Sequence, residues 1–195
     1  ALRKLAEKYK LIMMGAGRVD RIFDHMVNNT IDIIGNYGMQ YDTYNAETEE
    51  LEMKYNISVP CDKQKVAEIA AYFREKFNLH EYAGESVEFH PSGCITFPIL
   101  GTKAKIEDKL AYDPDWSKRL QMFDDVKSAF TEYDAYVGGS SSFDMAPKPY
   151  NKYYALDLYC KEHGYSHDEV VFVGDGYKPG GNDECVYKSD FHFIC

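Results

Sequence analysis

The sequence contains no stretch that resembles a membrane anchor or a nucleic-acid-binding tail. No apolar run approaches the roughly 20 residues that a membrane helix needs, and no charged and apolar leader stands at the start. Asp and Glu outnumber Lys and Arg by 32 to 22, the formal net charge is -10, and Lys/Arg clusters are lacking. Such a chain suits neither nucleic acid nor an anionic membrane as a partner. We therefore expect it to bind a small ligand.

Paired cysteines are also lacking, as are internal repeats and low-complexity tracts. The five cysteines are odd in number and widely spaced, without a C-x-x-C pair or a histidine at zinc spacing. We expect reduced thiols and a cytoplasmic location. The chain does have 195 residues, of which 45% are apolar and 15% aromatic. This is enough for one sizeable core or two modest ones, so a core domain that carries an inserted subdomain fits.

Strands and helices are predicted to alternate at both ends of the chain, which is typical of parallel βαβ pairing. We expect helical sequence near the start and a strand in the final residues. Between these ends, the predicted elements are a strand at 11–14 with a turn at 15–17, a helix at 19–27, a strand at 31–35, a hairpin of 37–44 and 51–57, a helix at 151–163 and a buried strand at 170–173.

The middle of the chain has a different pattern, with longer helices and a short hairpin. The predicted elements there are a helix at 62–77, strands at 86–89 and 94–98, a helix at 116–130 whose residues Leu120, Phe123, Val126 and Phe130 face inward, a strand at 133–137 and a flexible joint at 138–142. We therefore predict an α/β protein. Its doubly wound, Rossmann-like core comprises residues 1–56 and 148–195, and an α+β cap is inserted at 57–147.

The segment VVFVGDGYKPGGND at 170–183 carries the clearest chemical signal. Ligands bind beyond the carboxyl ends of strands in open α/β sheets, and Asp175 follows such a strand directly. The glycines of the loop allow a tight return that brings Asp183 near Asp175. Two neighbouring carboxylates repel each other unless a cation lies between them, and Mg²⁺ prefers a few carboxylates with water and phosphate. The alternative is an ordinary acidic surface loop.

The segment GDGYKPGGND resembles the fourth motif of the haloacid dehalogenase-like superfamily, in the form found in eukaryotic-type phosphomannomutases and related phosphatases with an α/β cap. The resemblance implies that Asp175 and Asp183 hold Mg²⁺ and its surroundings. Gly174 and Asn182, which precede these aspartates, are then candidate phosphate or substrate contacts. The fold implied is the predicted core with its cap.

The segment GSSSFDMAPKPYNKYYAL at 139–156 extends the resemblance. It is similar to the stretch of those enzymes in which a Ser-x-Asp pair touches the sugar and a lysine follows at the start of a core helix. Ser142 and Asp144 are on this basis candidate substrate contacts, and Lys152 is the candidate catalytic lysine. Its charge would offset negative charge on a transferring phosphoryl group. Alternatively, Lys152 is a solvated helix residue.

The nucleophile motif of the family is missing from the sequence. The family opens with a strand carrying D-x-D-G-T, whose first aspartate is the nucleophile and whose second is the general acid/base. No such string occurs in residues 1–195. We expect this N-terminal strand to lie upstream of Ala1. The alternative is a non-catalytic, phospholigand-binding relative.

The second motif also departs from the family pattern. The family presents a Ser or Thr after the strand, where this chain has Gly15, Ala16, Gly17 and Arg18. The backbone N–H groups of this turn and the Arg18 guanidinium are candidate phosphate contacts. Alternatively, Arg18 is a surface residue.

The cap lacks the arginines with which phosphomannomutases hold the distal phosphate of the sugar. The corresponding segment YAGESVEFH at 82–90 contains none, and neither do Gly101 and Thr102. His90 either contacts a ligand from the cap or is simply exposed. A phosphatase needs to grip only one phosphate, so we predict a Mg²⁺-dependent phosphohydrolase for a phosphorylated sugar or similar metabolite. The alternative is a phosphomannomutase-like phosphotransferase.

Overall fold

The described residues form a mixed four-stranded sheet, a parallel two-stranded sheet and an antiparallel four-stranded sheet, with helices packed against them. The structure, a computed structural model, describes residues 2–26 and 31–195. Its helices are α1 (Leu2–Ala6), α2 (Val19–His25), α3 (Lys63–Lys76), α4 (Ile106–Tyr112), α5 (Ser117–Ala129), α6 (Lys152–His163) and α7 (Glu184–Tyr187). Its strands are β1 (Ile12–Met14), β2 (Asp32–Gly35), β3 (Gln40–Asn45), β4 (Glu50–Asn56), β5 (Glu88–Phe89), β6 (Ile95–Pro98), β7 (Tyr133–Gly138), β8 (Ser142–Pro147), β9 (Val171–Val173) and β10 (His192–Ile194).

The first sheet has the strand order β1-β2-β3-β4 and helices on both faces. Strands β1 and β2 are parallel, and the β3–β4 hairpin continues the sheet in antiparallel fashion. Because successive side chains of a strand point to opposite faces, Ile33 packs with Val19 of α2, whereas Ile34 packs with Ala155 and Tyr159 of α6. The predicted doubly wound arrangement is confirmed.

The second sheet contains the parallel strands β9 and β10. Phe172 of β9 packs with Leu156 and Cys160 of α6. On the opposite face, Val171 and Val173 are 54% and 71% exposed. The predicted buried strand at 170–173 is therefore buried at Phe172 but not at these two valines, because α6 covers one face of the strand and no described residue covers the other.

The antiparallel sheet has the strand order β5-β6-β8-β7 and is covered by α3 and α5. We call this sheet with its two helices the cap, and the remaining sheets with α2 and α6 the core. Val126 of α5 is buried as predicted, but Leu120 is 41% exposed. Arg119 faces inward instead, because it pairs with the buried carboxylate of Asp113. The division at residues 57 and 147 stays a prediction.

Several local predictions need correction. The expected flexible joint at 138–142 is the turn between β7 and β8, and β8 is a central strand of the cap sheet. Tyr37 lies in a short 3₁₀ turn, Asn36–Gly38, rather than in a strand. Helices α4 and α7 were not predicted. The helix predicted at 19–27 ends at His25, and Val27 lies outside the described residues. Among the described residues, no helix is long and apolar enough to cross a membrane.

Candidate active site

Lys152 lies at the first turn of α6 and reaches the loop that follows β9. The helix begins there because the Asn151 side chain accepts a hydrogen bond from the Tyr154 N–H at 2.8 Å, which is a normal N-cap. The Lys152 ammonium donates to Asn182 Oδ1 at 2.9 Å and to the carboxylate of Asp183. The structure thus brings three predicted site residues together, and Lys152 is not a solvated helix residue.

The second oxygen of the Asp183 carboxylate accepts a hydrogen bond from the Gly176 N–H at 2.8 Å. A Cβ atom at Gly174 would lie 2.6 Å from this same oxygen, so only glycine allows the carboxylate to approach the strand end. Both Asp183 oxygens are therefore engaged by the protein. Asp183 orients the loop and Lys152, and its assignment as a metal ligand stays a prediction.

Asp175 stands between the two glycines that contact Asp183, and its side chain is exposed. Its carboxylate makes no hydrogen bond or ion pair with residues 2–26 or 31–195. Mg²⁺ is commonly bound by one or two protein carboxylates, with water and substrate phosphate completing its coordination. No group of three or more His, Cys, Asp or Glu side chains among the described residues could hold a metal. Asp175 therefore fits the part of one protein carboxylate in a Mg²⁺ site, and water and substrate phosphate would supply further ligands.

A cleft of about 820 Å³ lies between the core and the cap. This volume is in the range of small-molecule sites. The core contributes the predicted phosphate contacts Ala16, Gly17 and Arg18, and the cap contributes the predicted substrate contact Asp144. Other residues that line the cleft include Arg21, His25, Tyr37, Glu88, His90 and Thr96.

Asp144 is held in the cleft wall by the neighbouring strand β6. Thr96 Oγ1 donates to Asp144 Oδ1 at 2.9 Å, and His90 Nε2 lies 3.1 Å from the same hydroxyl oxygen. Burial raises the pKa of Asp144, while the hydrogen bond from Thr96 opposes this shift. Ser142 Oγ donates to the Gly138 carbonyl at 3.0 Å and lies 3.5 Å from Asp144 Oδ1. His90 is half-buried in the cleft wall rather than simply exposed.

The turn that presents Ser142 is fixed by Arg119, a residue that sequence reasoning missed. Its guanidinium donates to the carbonyl oxygens of Gly138, Gly139 and Ser142 at 2.7, 3.2 and 3.1 Å. Its Nε donates to Asp113 Oδ2 at 2.8 Å. Because the side chains of Arg119 and Asp113 are fully buried, this network holds the Ser-x-Asp strand in place. No sequence signal links Arg119 to a turn some twenty residues further along the chain.

The second-motif turn offers fewer phosphate contacts than predicted. The Gly15 N–H donates to the Ile34 carbonyl at 2.9 Å as part of the sheet, so it is not available to a phosphate. The Val19 N–H donates to Gln40 Oε1 at 3.2 Å. The Arg18 guanidinium pairs with Asp20 and is largely exposed. Ala16 and Gly17 line the cleft, so they remain candidates.

Tyr37 is a further residue of the cleft that sequence reasoning missed. Its backbone is left-handed, with a φ of 56°, and its ring stacks on Tyr136 of the cap with centroids 5.0 Å apart. Burial raises the pKa of Tyr37 well above its usual value, and the negative charge of Asp144 raises it further. The following Gly38 indicates a turn, but no pattern indicates which way the tyrosine points.

The sequence profile of the family described as eukaryotic phosphomannomutase matches residues 1–193. The chain belongs to this family. The phosphomannomutase of Drosophila melanogaster is 32% identical over 110 residues, which are 54% of this chain and 42% of that protein. The phosphomannomutase of Saccharomyces cerevisiae is 28% identical over 144 residues, 71% of this chain and 52% of that protein. The chain spans about half the length of the curated relatives it matches.

Solved structures add evidence on the fold of this phosphomannomutase family member. A haloacid dehalogenase-like hydrolase from B. subtilis superposes with a TM-score of 0.57 at 11% identity, covering 93% of this chain and 75% of that one. At this identity the likeness concerns the fold alone. It confirms the predicted α/β core with a cap, and the family match over residues 1–193 confirms the predicted phosphomannomutase-like assignment.

Proposed function

We propose that the protein is a sugar-phosphate phosphotransferase of the phosphomannomutase type. The observation that carries the proposal is the buried contact of Lys152 with Asn182 and Asp183 at the end of β9. It occurs in a chain whose match to the phosphomannomutase family extends over residues 1–193. The substrate is a small phosphorylated sugar. The five free thiols are in keeping with a cytoplasmic location.

Each residue of the constellation has a defined part in phosphoryl transfer. The Lys152 ammonium offsets the negative charge that spreads over the oxygens of a transferring phosphoryl group. Asn182 and Asp183 hold that ammonium, so no reorganisation is needed during the reaction. Asp175 would hold Mg²⁺, which when bound supplies further charge neutralisation at the phosphate. Asp144 and Ser142 contact the sugar from the cap.

The nucleophilic aspartate is proposed to come from a strand outside residues 1–195. Within residues 2–26 and 31–195, β1 pairs with β2 alone and β9 with β10 alone, so each of the two sheets has an edge strand that a further parallel strand could join. Helix α6 packs against both, since Met14 and Phe172 share its apolar face. A further strand between β1 and β9 would join the sheets and bring its carboxyl end beside Asp175 and Lys152. This arrangement supports a D-x-D strand at that position.

A phosphohydrolase is the second candidate function, and one observation favours it. The described cap residues that line the cleft include Glu88, His90, Thr96 and Asp144 but no Lys or Arg. A mutase must grip a sugar bisphosphate by either end, whereas a phosphatase needs one phosphate only. The family match favours the mutase, and the cap wall favours the hydrolase.

The test is to incubate the full-length protein and Mg²⁺ with a hexose 1-phosphate, with and without a hexose 1,6-bisphosphate. Hexose 6-phosphate and inorganic phosphate are measured in parallel. Conversion to hexose 6-phosphate that the bisphosphate activates supports the mutase. Release of inorganic phosphate as the main product supports the hydrolase. Neither product from a panel of sugar phosphates would contradict both and support a binding protein without turnover.

A further inference from the structure

Helix α2 carries its basic and its acidic residues on different sides. Arg21 and His25 are four residues apart, so they share one face of the helix, and both line the cleft between core and cap. Asp20 and Asp24 have the same spacing and line a neighbouring cavity of about 900 Å³ instead. The helix therefore presents its basic side to the cleft.

The neighbouring cavity is unsuited to a phosphate because carboxylates dominate its lining. Its acidic residues are Asp20, Asp24, Asp42, Glu49 and Glu50. Arg18 lies at the border, since it lines both spaces, but its guanidinium pairs with the Asp20 carboxylate. A ligand with negative charge is repelled from this cavity and favoured on the cleft side of α2.

Arg21 has a guanidinium whose charge no described residue neutralises. The residue is exposed, and its side chain makes no hydrogen bond or ion pair with residues 2–26 or 31–195. On the same face, His25 Nδ1 donates to the Arg21 carbonyl oxygen at 2.6 Å, which leaves Nε2 as the second hydrogen-bonding atom of that ring. A guanidinium presents a planar fork of donors that matches the oxygens of a phosphate. Arg21 is thus equipped to bind an anionic group in the cleft.

The cap wall of the cleft offers hydrogen-bond acceptors rather than cations. Glu88, Thr96, Asp144 and Tyr136 stand opposite one another across β5, β6, β8 and β7. Their neighbours along the strands point to the other face of the sheet, where they pack with α3 and α5. The carboxyl groups of Glu88 and Asp144 can accept hydrogen bonds from sugar hydroxyls. They suit the sugar and not a second phosphate.

We propose that Arg21 is a specificity-determining residue that binds the anionic group at the far end of the sugar from the transferring phosphoryl group. The sugar hydroxyls then face Glu88 and Asp144 on the cap. This inference deepens the proposed function and rests on it, because a mutase must hold both phosphates of a sugar bisphosphate. It also explains how a cap wall without Lys or Arg is compatible with a mutase, since the second grip lies on the core.

Equilibrium binding tests the proposal without turnover. Glucose 1,6-bisphosphate and glucose 1-phosphate are titrated into the full-length protein by calorimetry, with Ca²⁺ in place of Mg²⁺, and chromatography of the recovered ligands verifies that they are unchanged. We expect the wild type to bind the bisphosphate at least tenfold more tightly than the monophosphate. Arg21→Gln should weaken bisphosphate binding about tenfold, the effect of one charge-assisted hydrogen bond, and change monophosphate binding less than twofold. Arg21→Lys keeps the charge and should lose less than Arg21→Gln.

Lys54→Gln is the matched control, because it removes one positive charge from an exposed side chain of β4 that does not line the cleft. It should leave both affinities within twofold of the wild type. A wild type that binds the bisphosphate no more tightly than the monophosphate would overturn the proposal. So would unchanged bisphosphate binding in Arg21→Gln, or an equal loss for both ligands. If bisphosphate binding depends on Arg21 as expected while the wild type with Mg²⁺ transfers no phosphoryl group, the grip is supported and only the proposed function fails.

Discussion

The ammonium of Lys152 and the carboxylate of Asp183 form an ion pair in which the two side chains are 9% and 2% exposed. It joins the first turn of α6 to the loop after β9, and so connects two segments 31 residues apart in the chain. Removing charges from water is costly unless they are paired and hydrogen-bonded. Asn182 and the Gly176 N–H supply those hydrogen bonds. The pair therefore fixes the geometry of the candidate active site.

Breaking this pair should destabilise the protein strongly. We expect Lys152→Ala to lower the free energy of unfolding by about 3 kcal/mol, because it leaves a buried carboxylate without its counter-ion. Lys161→Ala is the control, since the Lys161 side chain is 71% exposed and its pair with Asp157 should contribute less than about 0.5 kcal/mol. Urea denaturation of both variants measures the difference. Equal and small effects would contradict the assigned role of Lys152.

Arg119 should matter for the stability of the cap more than any exposed cation of α5. Arg119→Met removes the guanidinium that pairs with the buried Asp113 carboxylate and donates to the carbonyls of the β7–β8 turn. A loss of about 3 kcal/mol corresponds to a melting temperature lower by about 6 to 12 °C in a chain of this size. Lys118→Met removes an exposed neighbouring cation and should shift the melting temperature by less than about 2 °C. Similar melting curves for the two variants would disprove the role of Arg119.

His167 should make stability depend on pH. It lies between Asp190 and Asp157, at 2.8 and 3.2 Å, and the hydrogen bond with Asp190 is the main cause of its raised pKa. Because the folded pKa exceeds the unfolded value of about 6.5, this stabilisation is complete below that value and is lost as pH rises through the folded pKa.

Thermal unfolding at pH 6 and pH 9 tests this expectation. His167→Gln should destabilise the protein clearly at pH 6 and much less at pH 9. His192→Gln, on the exposed side of β10, serves as the control and should show no such difference. A pH-independent effect of His167→Gln would mean that the protonated imidazole does not contribute.

Local patterns were sufficient to predict the strands at 11–14 and 170–173 and the helix that carries Lys152. Apolar runs bounded by glycine turns, and a polar residue such as Asn151 at the N-cap, act over a few residues and are visible in the sequence. The position of the candidate site, at the end of β9, was predictable from local pattern in the same way, because Asp175 and Asp183 belong to one short loop.

Contacts between distant segments were not predictable in this way. The sequence predicts both aspartates alike as metal residues, whereas in the structure the oxygens of Asp183 accept hydrogen bonds from Lys152 and Gly176 and the side chain of Asp175 is exposed. The burial of Arg119 depends on Asp113, which lies in a polar stretch. The direction of Tyr37 depends on the position of the cap ring at Tyr136. Each of these features is decided by tertiary packing rather than by local pattern.

The most direct test of the proposed active site is the Mg²⁺ concentration that gives half-maximal turnover of a hexose 1-phosphate by the full-length protein. We expect Asp175→Asn to raise this concentration by at least tenfold while the far-ultraviolet circular dichroism stays unchanged, because its exposed carboxylate is a proposed metal ligand of the loop. Asp168→Asn, in the exposed turn before β9, should leave it unchanged. The same Mg²⁺ dependence in Asp175→Asn and the wild type, or turnover without Mg²⁺, would contradict the account.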